Sequence, residues 1–311
     1  MKEPETLDGA VDLTHLGVIH ASGDDAAKFL HSQLTNDFDR LPLGRARLAG
    51  FCSAKGRLQA SFVGWKDTDR SLRLIVSVGL LSATLKRLSM FVMRSQCKLR
   101  DASAEFNLRG LVGDSANGLV GDLEPWGIRE TGAGTVIRLP DSAGLARAML
   151  VEPSSVGLAS TLPVITLDAW RWLEVQSGVA LIESTTFEQF VPQMVNFELV
   201  GGVDFQKGCY PGQEVVARSQ YRGSIKRRAF LFDTGALAQS GQEIYHSLDP
   251  QQPAGMVVNA APRLHGKGSS VLAELKIAAL NGGTLHLCTS DGPVLEHREL
   301  PYRVPIEPAA A

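Results

Sequence analysis

The 311-residue sequence has little of what builds zinc sites, redox pairs or disulfide frameworks. Its four cysteines, Cys52, Cys97, Cys209 and Cys288, lie too far apart to form any Cys-x-x-Cys pair. Its seven histidines show no paired metal-ligand spacing, so they read as structural or surface residues and no metal site is expected. A surplus of either charge is missing too. Lys and Arg number 31 against 33 Asp and Glu, and the formal net charge of −2 argues against a polybasic nucleic-acid or membrane-surface protein. No apolar run approaches the roughly 20 residues that span a bilayer, the longest uncharged one lying around Val76–Leu81. The start, Met1-Lys2-Glu3-Pro4-Glu5, offers neither the basic opening nor the apolar core of a signal peptide. The expectation is a soluble, cytoplasmic chain without membrane contact. What is present suits a packed fold: 44% hydrophobic and 21% charged residues, enough length for two or three domains, and 31 Gly with 15 Pro for many turns.

Hydropathy patterning points to an α+β chain. Val18–Ala21 reads as a strand, Ser22 ahead of Asp25 as a capping-box-like helix start, and Ala26, Phe29, Leu30 and Leu34 as one helical face. Leu58, Ala60 and Phe62 alternate as in a strand, Leu72–Val78 is β-rich, and Leu81, Leu85, Leu88 and Val92 repeat at helical spacing. A two-residue period resumes from Met93 through Cys97 to Leu99. From Gly110 to Pro163 the signal weakens, with strands placed only near Thr135–Leu139 and Met149–Val151. Ala169, Trp172, Leu173 and Gln176 define an amphipathic helix that ends near Gly178, with Trp172 on its core face. After a boundary near Gly223, short β-rich runs separated by turns suggest a small barrel or sandwich, and Gly266–Ser270 reads as a hairpin turn rather than a phosphate loop.

The densest cluster of unusual residues is Lys207-Gly208-Cys209-Tyr210-Pro211-Gly212-Gln213-Glu214. Pro211-Gly212 suits the centre of a type II turn, and Gln213 begins a short helix with Glu214 in its first turn and Arg218 in its last. In extended backbone Lys207 and Cys209 share a side, so an ammonium and a helix amino end could together stabilise a thiolate. That makes Cys209 a candidate nucleophile with Lys207 as its partner. The competing reading is a small buried cysteine beside a solvated lysine; Cys52, Cys97 and Cys288 read as packing residues.

This segment resembles the signature of the YgfZ-type folate-binding proteins, relatives of the glycine-cleavage T-protein (aminomethyltransferase). The signature stands complete at Lys207–Glu214 and is followed by Val216-Ala217-Arg218. Phe190–Asn196, Gly201-Gly202-Val203, the stretch Gln33–Asp37 and Lys55-Gly56-Arg57 are also similar to the family. The resemblance implies a T-protein-like three-domain ring with ferredoxin-like α+β layers and a C-terminal small β-barrel. Residues 1–222 would form the folate-binding region, as two interleaved domains with the second roughly 46–153, and residues 223–311 the barrel. It implies tetrahydrofolate or a derivative as ligand, and a role in maturing or repairing iron–sulfur proteins, including enzymes that modify tRNA; partners would be those proteins or their assembly factors. Candidate folate contacts are Phe51 and Trp170 as stacking surfaces, with Gln176, Asn196, Arg218 and Arg222.

Two departures bear on mechanism. The T-protein carries an acidic pair where this chain has Gln59-Ala60, so the expectation is that no carboxylate is available there for the proton handling that aminomethyl transfer needs. Its relatives often show Glu-x-Gly where this chain has Gln176-Ser177-Gly178, which makes a charged pterin contact neutral. A folate-binding accessory protein is therefore the leading reading and a folate-dependent one-carbon transferase the alternative. A third is a tRNA-binding module using the acid-free stretch Arg218, Arg222, Lys226, Arg227 and Arg228, whose last three residues equally suit a solvated domain entry.

Overall fold

The computed structural model describes residues 7–155, 162–221 and 225–305. The chain opens with β1 (Gly9–Asp12) and β2 (Leu16–Ser22), then α1 (Ala26–Gln33), β3 (Ala46–Cys52), β4 (Leu58–Thr68), β5 (Ser71–Ser77), α2 (Val78–Val92) and β6 (Lys98–Asp101). Next come β7 (Phe106–Val112), α3 (Asp114–Val120), β8 (Ile128–Thr131), β9 (Gly134–Ser142), β10 (Leu145–Pro153), α4 (Leu167–Gln176) and α5 (Gln213–Tyr221). The last six strands are β11 (Arg227–Thr234), β12 (Glu243–His246), β13 (Asp249–Pro262), β14 (Ser269–Lys276), β15 (Leu285–Leu287) and β16 (Val294–Arg298).

These strands form two five-stranded antiparallel sheets, ordered β3-β4-β5-β2-β6 and β1-β7-β10-β9-β8, and a closed six-stranded barrel, β11-β14-β13-β12-β15-β16. The chain crosses between the sheets twice, from β1 to β2 and from β6 to β7. α1 and α2 pack on the first sheet and α3 on the second, while α4 bridges the second sheet and the barrel. This is the expected α+β architecture with a barrel at the C-terminal end. Among the described residues, no helix is long and apolar enough to cross a membrane.

The apolar faces of α1 and α2 sit as their spacing predicts: Phe29, Leu30 and Leu34 are buried, as are Leu81 and Leu88. Several expectations need correction. Ser22 ends β2 and does not cap α1; Asp25 holds that position, and its carboxylate instead accepts from the Gln96 amide at 2.7 Å. The strand expected from Met93 begins only at Lys98, because Met93 turns to φ 42° and stops α2.

Between Gly110 and Pro163 the structure holds β7, α3 and β8, all unforeseen. Gly110 inside β7 looks like a strand breaker, yet a Cβ there would lie 2.5 Å from the Trp170 ring, so the glycine makes room for the indole. α3 is seven residues long and contains Asn117 and Gly118, both poor helix formers. In α4 the two tryptophans exchange roles. Trp170 is fully buried between the Gly110 backbone and Arg147, whose guanidinium lies 5.6 Å from the ring centroid. Trp172 is only half-buried and donates from Nε1 to Ser270 Oγ in the barrel at 3.1 Å.

Candidate functional site

The signature segment is a turn packed against another turn. The Gln213 amide donates to the Tyr210 carbonyl at 3.2 Å, and Gly212 takes φ +79°, as the Pro-Gly pair requires. A Cβ at Gly212 would lie 2.3 Å from the Ser53 carbonyl oxygen and 2.7 Å from Gly56 Cα. Only glycine lets the two backbones meet this closely. The fold thus joins Lys55-Gly56-Arg57 and Lys207–Glu214, which lie some 150 residues apart in the sequence.

Lys207 is buried, at 8% exposure, so it is not a solvated lysine. Its Nζ donates to the carbonyls of His31 and, at 2.9 Å, Leu34 at the carboxyl end of α1, and it lies 4.7 Å from the centre of the Tyr210 ring. A cation at a helix C-terminus satisfies carbonyls that have no partner within the helix. The ammonium is thereby committed to α1 rather than held for Cys209. Burial pushes Lys207 down to about 8, while Asp37, Asp204 and Cys209 pull the other way. Between this value and its ordinary 10.5 the unfolded chain holds the extra proton, so the Lys207 contribution to stability rises with pH across that window. Urea unfolding of wild type and Lys207→Met across about pH 7.5 to 10.5 checks this. The gap between the two should move in favour of the wild type as pH climbs, and a constant gap would contradict the assignment.

Cys209 is exposed, four residues ahead of the start of α5, which removes the buried-packing reading. Cys52 and Cys97 are packing cysteines as expected, and burial pushes their thiols up to about 12 and about 11. Cys288 is exposed, against expectation. Tyr210 is buried, and its hydroxyl has no hydrogen-bond partner among the described residues. Gly208 rests against the His31 ring and Gln213 is half-buried. Glu214 and Arg218 form an exposed ion pair at 2.6 Å.

The residues expected to touch folate are scattered. Phe51 and Trp170 are sealed in the hydrophobic core, so neither offers a face to a ligand. Asn196 is fully buried at φ +57°, with Nδ2 donating to the Ala229 carbonyl at 2.8 Å and the Tyr302 hydroxyl at 3.3 Å, a latch between the motif region and the barrel. Gln176 is half-buried and does not line the cavities described below, Arg218 is on the surface, and Arg222 lies outside the described residues.

Two cations of the basic stretch are turned inward. Arg227 is paired with Glu274; Arg228, 2% exposed, is paired with Glu198 and donates to the Gln193 carbonyl at 3.0 Å. Lys226 alone of these three is exposed. Arg227 and Arg228 are therefore neither a solvated domain entry nor free to meet phosphate.

The concave site lies elsewhere, where both sheets and the end of α4 meet. A small pocket of about 80 Å³ is walled by apolar side chains, among them Phe62, Trp126, Leu139 and Met149, and presents two charged groups, Arg147 and Glu174. It shares Glu174, Val179 and Leu181 with a larger, more polar cleft of about 540 Å³ that includes His15, Arg171 and Glu183. Such a pairing of apolar walls with few convergent polar groups is the usual form of a small-molecule site.

Both Glu174 oxygens lie 3.3 Å from His15 Nε2. Burial would raise the Glu174 carboxyl, but hydrogen bonding and charge from His15, with Arg147 nearby, outweigh it and hold the group below its ordinary value. Arg147 is pushed down to about 10 by burial and donates to the Pro140 carbonyl at 3.1 Å. Glu174 stands two residues before Gln176, the residue in the Glu-x-Gly position, on the same helix, and no local spacing marks it as the one that faces the cavity.

The Gln59-Ala60 position also differs from expectation. Glu188, at φ +57° and far along the chain, places Oε1 2.7 Å from Gln59 Nε2. A carboxylate is therefore present beside β4 after all.

Residues 6–132 match the family described as the GCVT N-terminal domain. The chain is 30% identical over 284 residues to a tRNA-modifying protein YgfZ of Edwardsiella ictaluri, covering 83% of this chain and 81% of that one. It is 28% identical over 243 residues to the protein of the same name from Colwellia psychrerythraea, covering 74% and 72%. In fold it is similar to the glycine cleavage system aminomethyltransferase T of Bartonella henselae, with a TM-score of 0.77 at 15% identity over 95% of this chain and 86% of that one. A signature turn locked onto Gly56, two α+β sheets and a closed barrel are thus joined to similarity along most of the sequence, and the chain belongs to the YgfZ family of tRNA-modifying proteins, relatives of the glycine-cleavage T-protein.

Proposed function

We propose that the chain binds tetrahydrofolate or a close derivative across the apolar pocket between its two sheets and the polar cleft that adjoins it, and through it supports tRNA modification as a non-catalytic accessory to iron–sulfur enzymes. In this reading residues 1–222 form the binding region and residues 223–311 the barrel that closes against it. The observation that carries the proposal is the pairing, in one apolar cavity, of an ionised carboxylate and a guanidinium, Glu174 and Arg147, beside the Trp126 indole. A pterin presents flat faces and N–H donors, which suit an aromatic wall and a carboxylate; the glutamate tail needs cations, which Arg147 and Arg171 supply. The relatives' name, tRNA-modifying protein, supports the wider role. Titration calorimetry with tetrahydrofolate tests the binding step, and no heat at millimolar ligand would sink it. Restoration of iron–sulfur enzyme activity in a deletion strain, by wild type and by a variant that has lost folate binding, tests the accessory step; equal rescue by both would separate the role from folate.

One observation favours a second reading, a one-carbon transferase. Glu188 beside Gln59 offers a carboxylate for proton handling where the acidic pair is missing. Turnover of an aminomethyl donor that Glu188→Gln abolishes would support it.

A further inference from the structure

Between Asp69 and Asp101 the sequence contains no acidic residue. The interval holds seven of the chain's 31 cations and none of its 33 acids, so the segment carries a formal +7 and the remaining 24 cations and 33 acids leave −9. The near-neutral total therefore conceals one acid-free stretch of sequence. Three of the seven are neutralised locally: Arg70 by Asp24, Arg73 by Asp67 and Arg100 by Glu105. The other four, Lys86, Arg87, Arg94 and Lys98, are exposed and have no ion-pair or hydrogen-bond partner among the described residues. Asp25, which reaches the loop after α2, is occupied with the Gln96 amide.

The fold places Lys86, Arg87 and Arg94 on the outer side of α2 and the loop after it, and Lys98 at the neighbouring sheet edge. α2 turns Leu80, Leu81, Thr84 and Leu88 onto the sheet, which leaves Lys86, Arg87 and Met90 outward at helical spacing, followed by Phe91, Met93 and Arg94. Lys98 begins β6, the open edge strand of the sheet; its neighbour Leu99 faces the α2 side, so Lys98 projects from the edge on the other side. The apolar residues among the cations are open to solvent, Met90 at 69%, Phe91 at 42% and Met93 at 86% exposure. Such a cluster is unusual on a surface that meets only water.

We propose that this face, formed by the C-terminal half of α2, the following loop and β6, is a docking surface for RNA. Lys86, Arg87 and Arg94 meet phosphates on the α2 side and Lys98 meets the same strand where it passes the sheet edge, while Phe91 with its neighbouring methionines receives an unstacked base. The combination of a basic track with an exposed aromatic fits single-stranded or looped RNA. An anionic membrane fits less well. The exposed residues of α2 nearer its start are Val78, Gly79, Ser82 and Ala83, which include only one large apolar side chain and offer little surface to insert. The inference uses a surface apart from the cavity and does not depend on the folate reading.

Fluorescence anisotropy with labelled bulk tRNA, measured at several salt concentrations, tests it. Wild type should bind at low salt and weaken steeply as salt rises. Reversing the four charges, with Lys86→Glu, Arg87→Glu, Arg94→Glu and Lys98→Glu together, should cost about a hundredfold or more at low salt and reduce the logarithmic salt slope by about 3 to 4. Phe91→Ala should cost about tenfold and leave the slope unchanged. A four-glutamine variant, with thermal melting as a check of folding, covers the case in which charge reversal perturbs the fold. No tRNA binding at low salt, or equal binding by wild type and the glutamine variant, overturns the proposal. So does binding of phosphatidylglycerol vesicles or of an acidic peptide without binding of tRNA.

Discussion

Replacing Arg228 with methionine is expected to destabilise the chain by about 3 to 5 kcal/mol, the usual cost of removing one partner from a buried ion pair. The Arg228 and Glu198 side chains are 2% and 5% exposed, and the guanidinium also donates to the Gln193 carbonyl. Burial pushes the Glu198 carboxyl up, while Arg228 charge and hydrogen bonding pull it back. Without the arginine, Glu198 must stay charged in an apolar setting or take up a proton, and the Gln193 carbonyl loses a donor. Urea unfolding of Arg228→Met, Glu198→Met and the double variant checks this. The double variant should recover most of the loss, since packed apolar groups can replace a buried pair. A single-variant cost below about 1 kcal/mol would show that the pair contributes little. In the tRNA assay a folded Arg228 variant should keep the wild-type salt slope, because this guanidinium does not reach solvent.

Arg228 also shows where the sequence stops informing. An acid-free run of cations reads as a solvated patch or a phosphate contact, because the acids that neutralise Arg227 and Arg228 are Glu274 and Glu198, 47 and 30 residues away. Periodicity carries only local facts. It predicts which faces of α1 and α2 are buried, and the Pro-Gly pair predicts the turn at Gly212, since both follow from short-range geometry. It misplaces the two tryptophans of α4, because which indole is buried depends on the groove that Gly110 opens in a strand 60 residues earlier. β7 and α3 were hidden for the same reason: their glycines serve neighbours or are overridden by them, and a scan of local propensity reads them as breakers.

The candidate site divides in the same way. The signature segment was legible as a motif, and its partner at Gly56 was visible only as a second piece of the same resemblance; the contact between them is a product of the fold. Phe51, Trp170 and Asn196 are chemically apt for a ligand and structurally committed to core and latch. The cavity walls come from β2, β3, β4, β5, β9, β10 and α4 with the loops beside them, a set that no spacing rule connects. Glu174 faces His15 and Glu188 faces Gln59, and neither acid is close in sequence to the group it meets.

The second large effect is expected at Glu174. Glu174→Gln should weaken tetrahydrofolate binding by about tenfold to a hundredfold, the equivalent of losing roughly 1.5 to 3 kcal/mol of charge-assisted hydrogen bonding. Glutamine keeps the volume of the side chain, so the cavity between Trp126 and Arg147 should stay intact and the loss should report charge rather than shape. The same substitution removes the negative partner of His15, which stands 3.3 Å from both oxygens, and thermal melting of the unliganded variant measures that effect separately. Gln176→Ala should change affinity less than about threefold, because Gln176 does not line the cavity although the family pattern places a pterin contact there. Calorimetry on the three proteins distinguishes the outcomes. If wild type binds folate, Glu174→Gln binds equally well and Gln176→Ala does not, the ligand sits by the family pattern rather than by the geometry of this cavity. If wild type itself gives no heat, the folate reading fails, and Glu174 keeps only its place beside His15 and Arg147.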